Sequence, residues 1–346
     1  MSMTGQPGRI AVPTAENIAR AATLLRAGKL VALPTETVYG LGADALDPQA
    51  TAAIFAAKGR PADHPLIVHL PSAEHLPRWA RRIPKEAIAL ARAFWPGPLT
   101  LILPRDADVP DAVTGGQDTV GLRVPNHPVA LALLTAFDSG IAAPSANRFG
   151  RISPTTAAHV EHELGERVDL ILDGGPCQVG IESTILDLSR DAPEILRPGA
   201  ITAEDIARVI GRRPKVRGEA AAPVEETVDT PRVSGSLAAH YAPSTPLRLL
   251  PAEMLVEEAA ELAGEGSRVA VLAHGCADPG DSRFTWIAAG ADAAVYAHDL
   301  YAHLRALDAL GADFILVETP PVHPAWSAIA DRLGRAAVGS GAREAP

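Results

Sequence analysis

The run LVALPTETVYGLGADA, Leu30 to Ala45, decides how the chain is read. Leu30-Val31-Ala32-Leu33 is an apolar run of strand length, and Gly40 to Ala45 literally matches G-x-G-x-x-A, the phosphate-binding turn of dinucleotide folds. In such a turn the helix begins inside the glycines, so that its N-terminal N–H groups face the pyrophosphate. Here the first good helix start is Asp47-Pro48, too late for that geometry. The segment Pro34-Thr35-Glu36-Thr37-Val38-Tyr39 between strand and glycines is also too long and too polar for the tight first turn. The nicotinamide reading therefore gives way to an ordinary glycine turn. What the stretch does offer is Thr35, Glu36 and Thr37 directly after a strand's C-terminal end, the edge where open α/β sheets bind ligands.

Working outward, Thr14 caps a helix whose Ile18, Ala21, Ala22 and Leu25 recur at helical spacing, and Gly28 ends it. Asp47-Pro48 opens a second helix through QATAAIFAAK, which stops at Gly59 with Pro61 beyond, placing Lys58 at a helix end. Strands are expected at 29–33, 65–70, 99–104, 119–125, 140–145, 168–175 and 182–189, and helices at 84–94, 127–138, 154–164 and 203–210. Some strands adjoin with only a turn between them, which argues for a mixed sheet. From 213 to 243 the pattern fades into a segment rich in Pro, Ala and charge, read as a linker. Beyond it, LRLLP, a helix near 252–263, RVAVLAH, a helix near 292–310, ADFILVE and a helix near 324–337 spell a βαβ-type domain. The expected division is 1–212, 213–243 and 244–346.

Composition agrees with two soluble domains: 346 residues, 47% hydrophobic and 21% charged. Only Cys177 and Cys276 occur, far apart, so neither a disulfide framework nor a cysteine zinc site is indicated. No apolar run approaches the roughly 20 residues of a membrane span, and MSMTGQPGRIAV lacks a signal-peptide pattern. A cytoplasmic protein without membrane attachment is expected. The net charge of −10 divides into −3 over 1–212 and −7 over 213–346, so direct binding of nucleic acid, DNA, mRNA or tRNA alike, is expected to be weak or absent.

Several further stretches carry chemistry. KGRPADHPLIVHL holds Lys58, Arg60, His64 and His69 in one span; a point charge and a planar fork together suit a polyphosphate. The competing readings are a solvated helix end and a core histidine. APSANRFGRISPT sets Ser145 and Asn147 after an apolar strand, without a G-x-S-x-G elbow, and Ser153-Pro154 reads as a helix start that faces an anion. Arg123 in TVGLRVP is embedded in an apolar strand and requires a carboxylate partner, from the protein or from a ligand. Ser183 and Thr184 open a strand in GGPCQVGIESTILDL, and Arg197 in ILRPGA follows another. Together these strand ends suggest a cleft for a small anionic ligand, with no metal cluster. No P-loop, HExxH, EF-hand or kinase pattern occurs.

PTETVYGLG, KGRP…PLIVH, WPGPLT, VGLRVP, APSAN, GIESTI and LRPGA, in that order, resemble the YrdC-like threonylcarbamoyl-AMP synthases. The resemblance is dense over residues 10–212 and continues in HYAP (240–243) and ADRLGRAA (330–337), as in the long form with a C-terminal extension. It implies an α/β fold: an open twisted mixed sheet with helices and a concave cleft, plus a smaller Rossmann-like domain. It implies synthesis of L-threonylcarbamoyladenylate and pyrophosphate from L-threonine, bicarbonate or carbon dioxide, and ATP, with Mg²⁺ carried chiefly by the ATP phosphates. The product would pass to a tRNA threonylcarbamoyl transferase for N6-threonylcarbamoylation of the adenosine next to the anticodon.

The resemblance also implies a K-x-R plus S-x-N tetrad at Lys58, Arg60, Ser145 and Asn147, and threonine contacts from Thr37, His69, Arg123, Ala143 and Ser183. Arg123 would take the threonine carboxylate as its missing partner. Lys58, Arg60, His64, Thr119, Ser145, Asn147, Ser153 and Arg197 would line the nucleotide site, with Tyr241 near it on a linker that acts as a lid. The linker departs from the pattern: Ser234-Gly235-Ser236 stands where Pro-Gly-Met is frequent. Rival readings are an RNA-binding protein of the same fold and a carbamoyl or adenylyl transferase with another acceptor.

Overall fold

The computed structural model describes residues 9–218 and 230–341. In chain order the first part comprises β1 (Ile10–Ala11), α1 (Ala15–Arg26), β2 (Val31–Leu33), β3 (Gly40–Asp44), α2 (Pro48–Lys58), β4 (Ile67–His69), α3 (Lys85–Phe94), β5 (Leu99–Pro104), α4 (Asp111–Thr114), β6 (Thr119–Arg123), α5 (Pro128–Phe137), β7 (Ile141–Ala142), α6 (Ala157–Leu164), β8 (Leu170–Leu172), β9 (Thr184–Asp187), β10 (Glu194–Arg197), α7 (Ala203–Ile210) and β11 (Lys215–Val216). Capping chemistry sets the helix limits. Thr14 and Asp47 accept backbone N–H groups at the starts of α1 and α2, Gly59 ends α2 in the left-handed region, and Thr202 with Asp205 forms a reciprocal capping box on α7.

Among the described residues the strands form one mixed sheet in the order β1-β8-β2-β3-β7-β4-β6-β5-β9-β10-β11. Helices α1 and α5 cover one face, through Ala21, Leu25, Leu133 and Phe137. The opposite face packs on α2, α3, α6 and α7, through Ile54, Leu90, Val160 and Ile206.

Two local readings change. Gly40 to Asp44 is no turn but strand β3, antiparallel to β2 with Leu33 opposite Gly40 and Val31 opposite Gly42. A side chain at Gly42 would strike Ile141, Leu33 and the Val31 carbonyl, so glycine here serves close strand packing. The helix expected from Ser153-Pro154 begins later, at Ala157, because Thr156 caps it by accepting from the His159 N–H.

The second part contains β12 (Leu247–Leu250), α8 (Ala252–Gly264), β13 (Val269–Ala273), β14 (Phe284–Ala288), α9 (Ala293–Ala309), β15 (Phe314–Glu318) and α10 (Ser327–Gly339). Its strands are all parallel, in the order β12-β15-β13-β14. Strand β14 is absent from the sequence reading; RFTWIA lies between polar turns and lacks a clean alternation. Val38, Ile152 and Ile181 of the first part and Tyr241 of the linker join the core of the second, beside Tyr301, Leu304 and Leu333. The two parts therefore share an apolar core across their boundary. Of the expected linker, 219–229 lies outside the described residues, as do the outermost ends of both expected domains.

Candidate active site

One edge of the large sheet gathers the chemistry. His69 and Arg123 end β4 and β6 and are register partners, His69 also faces Ile141 of β7, and Gly40 bridges to Ser145. The loop after β2 supplies Thr35, Glu36 and Thr37, while Ser183 precedes β9 and Arg197 ends β10. Thr37, His69, Arg123, Ala143, Ser145, Glu182, Ser183, Arg197, Ser234 and Tyr241 line a cleft of about 460 Å³, together with Thr35, Val38 and His240 among others.

The floor is held by hydrogen bonds local to the strand ends. Thr35 Oγ1 accepts the Thr37 and Val38 N–H groups and donates to the Val38 carbonyl at 2.7 Å, forming a hydroxyl-closed turn. Arg123 Nη2 lies 2.7 Å from Glu36 Oε1, Nη1 donates to Thr37 Oγ1 at 3.0 Å and Nε donates to the Gly97 carbonyl. The carboxylate that meets Arg123 in this structure is thus the protein's own Glu36. The two buried opposite charges lie at ion-pair distance, but among the described residues neither Arg123 Nη2 nor Glu36 Oε1 has a hydrogen-bond partner. His69 is held down at about 3 by burial and then by the Arg123 charge, so its imidazole is neutral, and its Nδ1 has no partner.

The nucleotide candidates divide. Lys58 does not line the cleft: its Nζ donates to the Ser145 carbonyl at 2.6 Å and to the Asn147 carbonyl, tying the APSAN loop to the end of α2. Burial, then Arg60, pushes its ammonium well below the usual lysine range. Asn147 Nδ2 donates to the Arg148 and Arg151 carbonyls, shaping the same loop, and its Oδ1 has no partner among the described residues. Arg60 does not line the cleft either; it donates to the Pro65 carbonyl at 2.9 Å and, at 3.4 Å, to Ser234 Oγ of the linker, which does. Arg197 donates to the Ser183 carbonyl and hydroxyl and, at 2.9 Å, to the Ser234 carbonyl.

Both guanidinium groups are buried and, among the described residues, neither bonds a carboxylate. Burial holds Arg60 down at about 10, against Tyr241 and with Arg197 adding to it. His64 stacks edge-on against Phe149 outside the cleft lining, Thr119 faces an adjoining small pocket with Ser234, and Ser153 is buried behind Glu182.

The linker closes one side. Gly235 has φ of +79°, and a Cβ there would collide with the Tyr241 hydroxyl, so a glycine is required where the chain crosses the cleft. His240 and Tyr241 pack at 4.1 Å between ring centroids. Burial depresses His240 to about 3, with Lys58, Arg60 and Arg197 adding to it against the pull of Glu182. His240 Nδ1 and the Tyr241 hydroxyl are buried without hydrogen-bond partners among the described residues. Unpaired polar atoms on several elements around one cleft are what a polar ligand would satisfy.

Sequence reasoning missed Glu182. Its Oε1 accepts from Ser153 Oγ at 2.5 Å, and its Oε2 accepts from Tyr301 Oη and Arg332 Nε, each at 2.8 Å. Burial pushes the carboxyl up, but Arg332, then Arg197, and the Ser153 bond hold it at about 2. The signal was present: an acid between Ile181 and Thr184 in an apolar context requires a cation, the argument already applied to Arg123. Among the described residues no group of three or more His, Cys, Asp or Glu side chains is arranged to hold a metal, and no helix is long and apolar enough to cross a membrane.

Comparison with known proteins places this geometry. A family model described as Telomere recombination, covering Sua5, YciO and YrdC, matches residues 23–199, and one described as Threonylcarbamoyl-AMP synthase, C-terminal domain, matches 201–338. The threonylcarbamoyl-AMP synthase of Pyrococcus abyssi is 43% identical over 91% of this chain and 92% of that protein. That of Bacillus subtilis is 41% identical over 93% of each. The crystal structure of P. abyssi Sua5 complexed with L-threonine matches with a TM-score of 0.86 at 40% identity, over 96% of this chain and 97% of that one. With both family models in sequence order and both sheets in their expected places, the chain belongs to the threonylcarbamoyl-AMP synthase family, in its two-domain form.

Proposed function

We propose that this chain makes L-threonylcarbamoyladenylate and pyrophosphate from L-threonine, bicarbonate or carbon dioxide, and ATP. The observation that carries this reading is the pairing pattern in the cleft. Arg123 and Glu36 neutralise each other on the floor, while the buried Arg197 in the cleft and Arg60 beside it meet, among the described residues, only hydroxyl and carbonyl groups. Such cations are complementary to the charge of a triphosphate and of departing pyrophosphate. Family membership with the P. abyssi and B. subtilis synthases supports the same reading.

In the proposed reaction the threonine amine adds to the carbon of carbon dioxide, or of bicarbonate with loss of water, and gives up a proton to form the carbamate. A carbamate oxygen then attacks the α-phosphorus in line, and the bond to the β-phosphate oxygen breaks. Catalysis of this kind is chiefly positioning and charge neutralisation. Thr37, His69, Ala143, Ser183 and the remaining donors of Arg123 would hold threonine. Arg60 and Arg197 would hold the phosphates, with Ser145, Asn147 and Lys58 shaping the loop between them. His64, Thr119, Ser153 and Tyr241 would complete the nucleotide side. Mg²⁺ would be bound mainly through phosphate oxygens of ATP.

The segment from Ser234 to Tyr241 would serve as a lid, and removal of residues 213–346 should lower turnover and weaken substrate binding. The product is an activated mixed anhydride, which fits hand-over to a tRNA-modifying transferase. The deciding experiment incubates the protein with ATP, bicarbonate and single amino acids and follows pyrophosphate. Release with threonine is the expected result; none with threonine sinks the proposal, and release with another amino acid moves it to another acceptor.

A further inference from the structure

Three charged side chains line the cleft: Arg123, Arg197 and Glu182. Arg123 is balanced by Glu36. Glu182 is balanced from outside the catalytic sheet, by Arg332 of α10, whose Nε lies 2.8 Å from its Oε2 and whose Nη2 donates to the Pro198 carbonyl at 3.0 Å. The other partners of the Glu182 carboxylate, Ser153 and Tyr301, are hydroxyl donors and bring no charge. Arg332 is only 1% exposed, so water screens the pair little. It also lies over the Tyr241 ring at 5.1 Å, and its neighbour Asp331 is shared with Arg335. Arg197 sits directly beside this arrangement, since it binds the carbonyl and hydroxyl of Ser183, the residue next to Glu182.

We infer that Arg332 sets the charge of the nucleotide cleft: by neutralising Glu182 from the C-terminal domain, it leaves Arg60 and Arg197 uncompensated and available to an anion. Without it the Glu182 carboxylate turns to the nearest remaining cation, Arg197, and cancels one of the two charges that receive the triphosphate. Arg332 is a positioning residue and does not touch substrate. The C-terminal domain thereby completes the electrostatics of a site whose side chains otherwise belong to the first domain and the linker. This inference rests on the proposed use of ATP.

The test compares ATP and threonine saturation, by pyrophosphate release, in the full-length wild type, Arg332→Met, Arg332→Lys and the double variant Glu182→Gln with Arg332→Met. Arg332→Met should raise the KM for ATP about tenfold or more, with the KM for threonine moved much less. Arg332→Lys should keep most of the affinity. The double variant, in which no carboxylate remains to be masked, should return to within about threefold of the wild type. A merely structural role for Arg332 predicts instead that the double variant is as impaired as Arg332→Met, or that both KM values rise together, and either result overturns the inference. So does an unchanged KM for ATP in Arg332→Met. If Arg332→Met fails to fold, Glu182→Gln alone decides: a lowered KM for ATP supports the masking role and a raised one overturns it. A wild type inert with threonine and ATP would overturn the proposed function itself, a separate outcome.

Discussion

Two buried arginine–glutamate pairs face the same cleft, Arg123 with Glu36 on its floor at 2.7 Å and Arg332 with Glu182 on its wall at 2.8 Å. The floor pair is drawn from strand ends of one sheet. The wall pair joins two parts of the molecule, and only their docking brings it together. The floor is therefore complete once the large sheet forms, whereas the wall depends on a second domain with its own parallel sheet. In the proposed reading the same pair chemistry would serve threonine-side geometry in one place and cleft charge in the other.

The comparison can be broken most forcefully at the floor. Arg123→Met strands Glu36 as a buried lone charge and should cost about 3–5 kcal/mol of stability in urea unfolding, with Glu36→Gln added to it recovering a large share. A loss near zero would mean that the floor pair contributes nothing to the sheet. Beside the cleft, where Arg60 meets Ser234 of the linker, Arg60→Ala should remove about 2–4 kcal/mol of transition-state stabilisation, seen as a fall in kcat/KM for ATP without loss of folded protein.

Acid probes floor and wall separately. His69 on the floor and His240 on the linker both titrate near 3 when folded, against about 6.5 unfolded. The unfolded chain therefore binds protons first, and stability is full above about pH 6.5 and declines as pH falls toward 3. Each histidine should account for about 2 kcal/mol of loss between pH 7.5 and 5. Replacing His240 by Phe should flatten the profile by that amount; an unaltered profile would show that the wall histidine is not buried neutral. The finest contrast is in capping: Asp292 accepts the Ala294 and Val295 N–H groups at the start of α9, the helix that carries Tyr301 to Glu182. Asp292→Ala should cost about 1 kcal/mol, with a smaller effect on the first domain than on the second in hydrogen exchange.

Much of the fold was legible because its signals are short-ranged. The helix expected at 203–210 is α7, Asp47-Pro48 and Gly59 bounded α2, and the apolar run 99–104 marked β5, all from signals within a few residues. The glycines of GLGADA were less legible, since whether Gly42 turns the chain or admits Ile141 and Leu33 against it is decided by neighbouring strands. Ser153 suggested a helix start from its own sequence, yet its hydroxyl is taken by Glu182 from a distant loop. In the cleft, the side chains at strand ends could be singled out by type and position. The actual bonds of Lys58, to the Ser145 and Asn147 carbonyls, could not.

By itself the sequence determined the two α/β parts, the ordered motifs that mark the family, and the need of Arg123 for a carboxylate. Only the tertiary structure decided which carboxylate that is, and that Glu182 and Arg332, 150 residues apart, meet at the cleft wall. The physical reason is range. Caps, turns and strand patterns act over neighbouring residues and leave a trace in the sequence. A buried charge leaves only its requirement for a partner, and the packing of distant elements selects which group meets it.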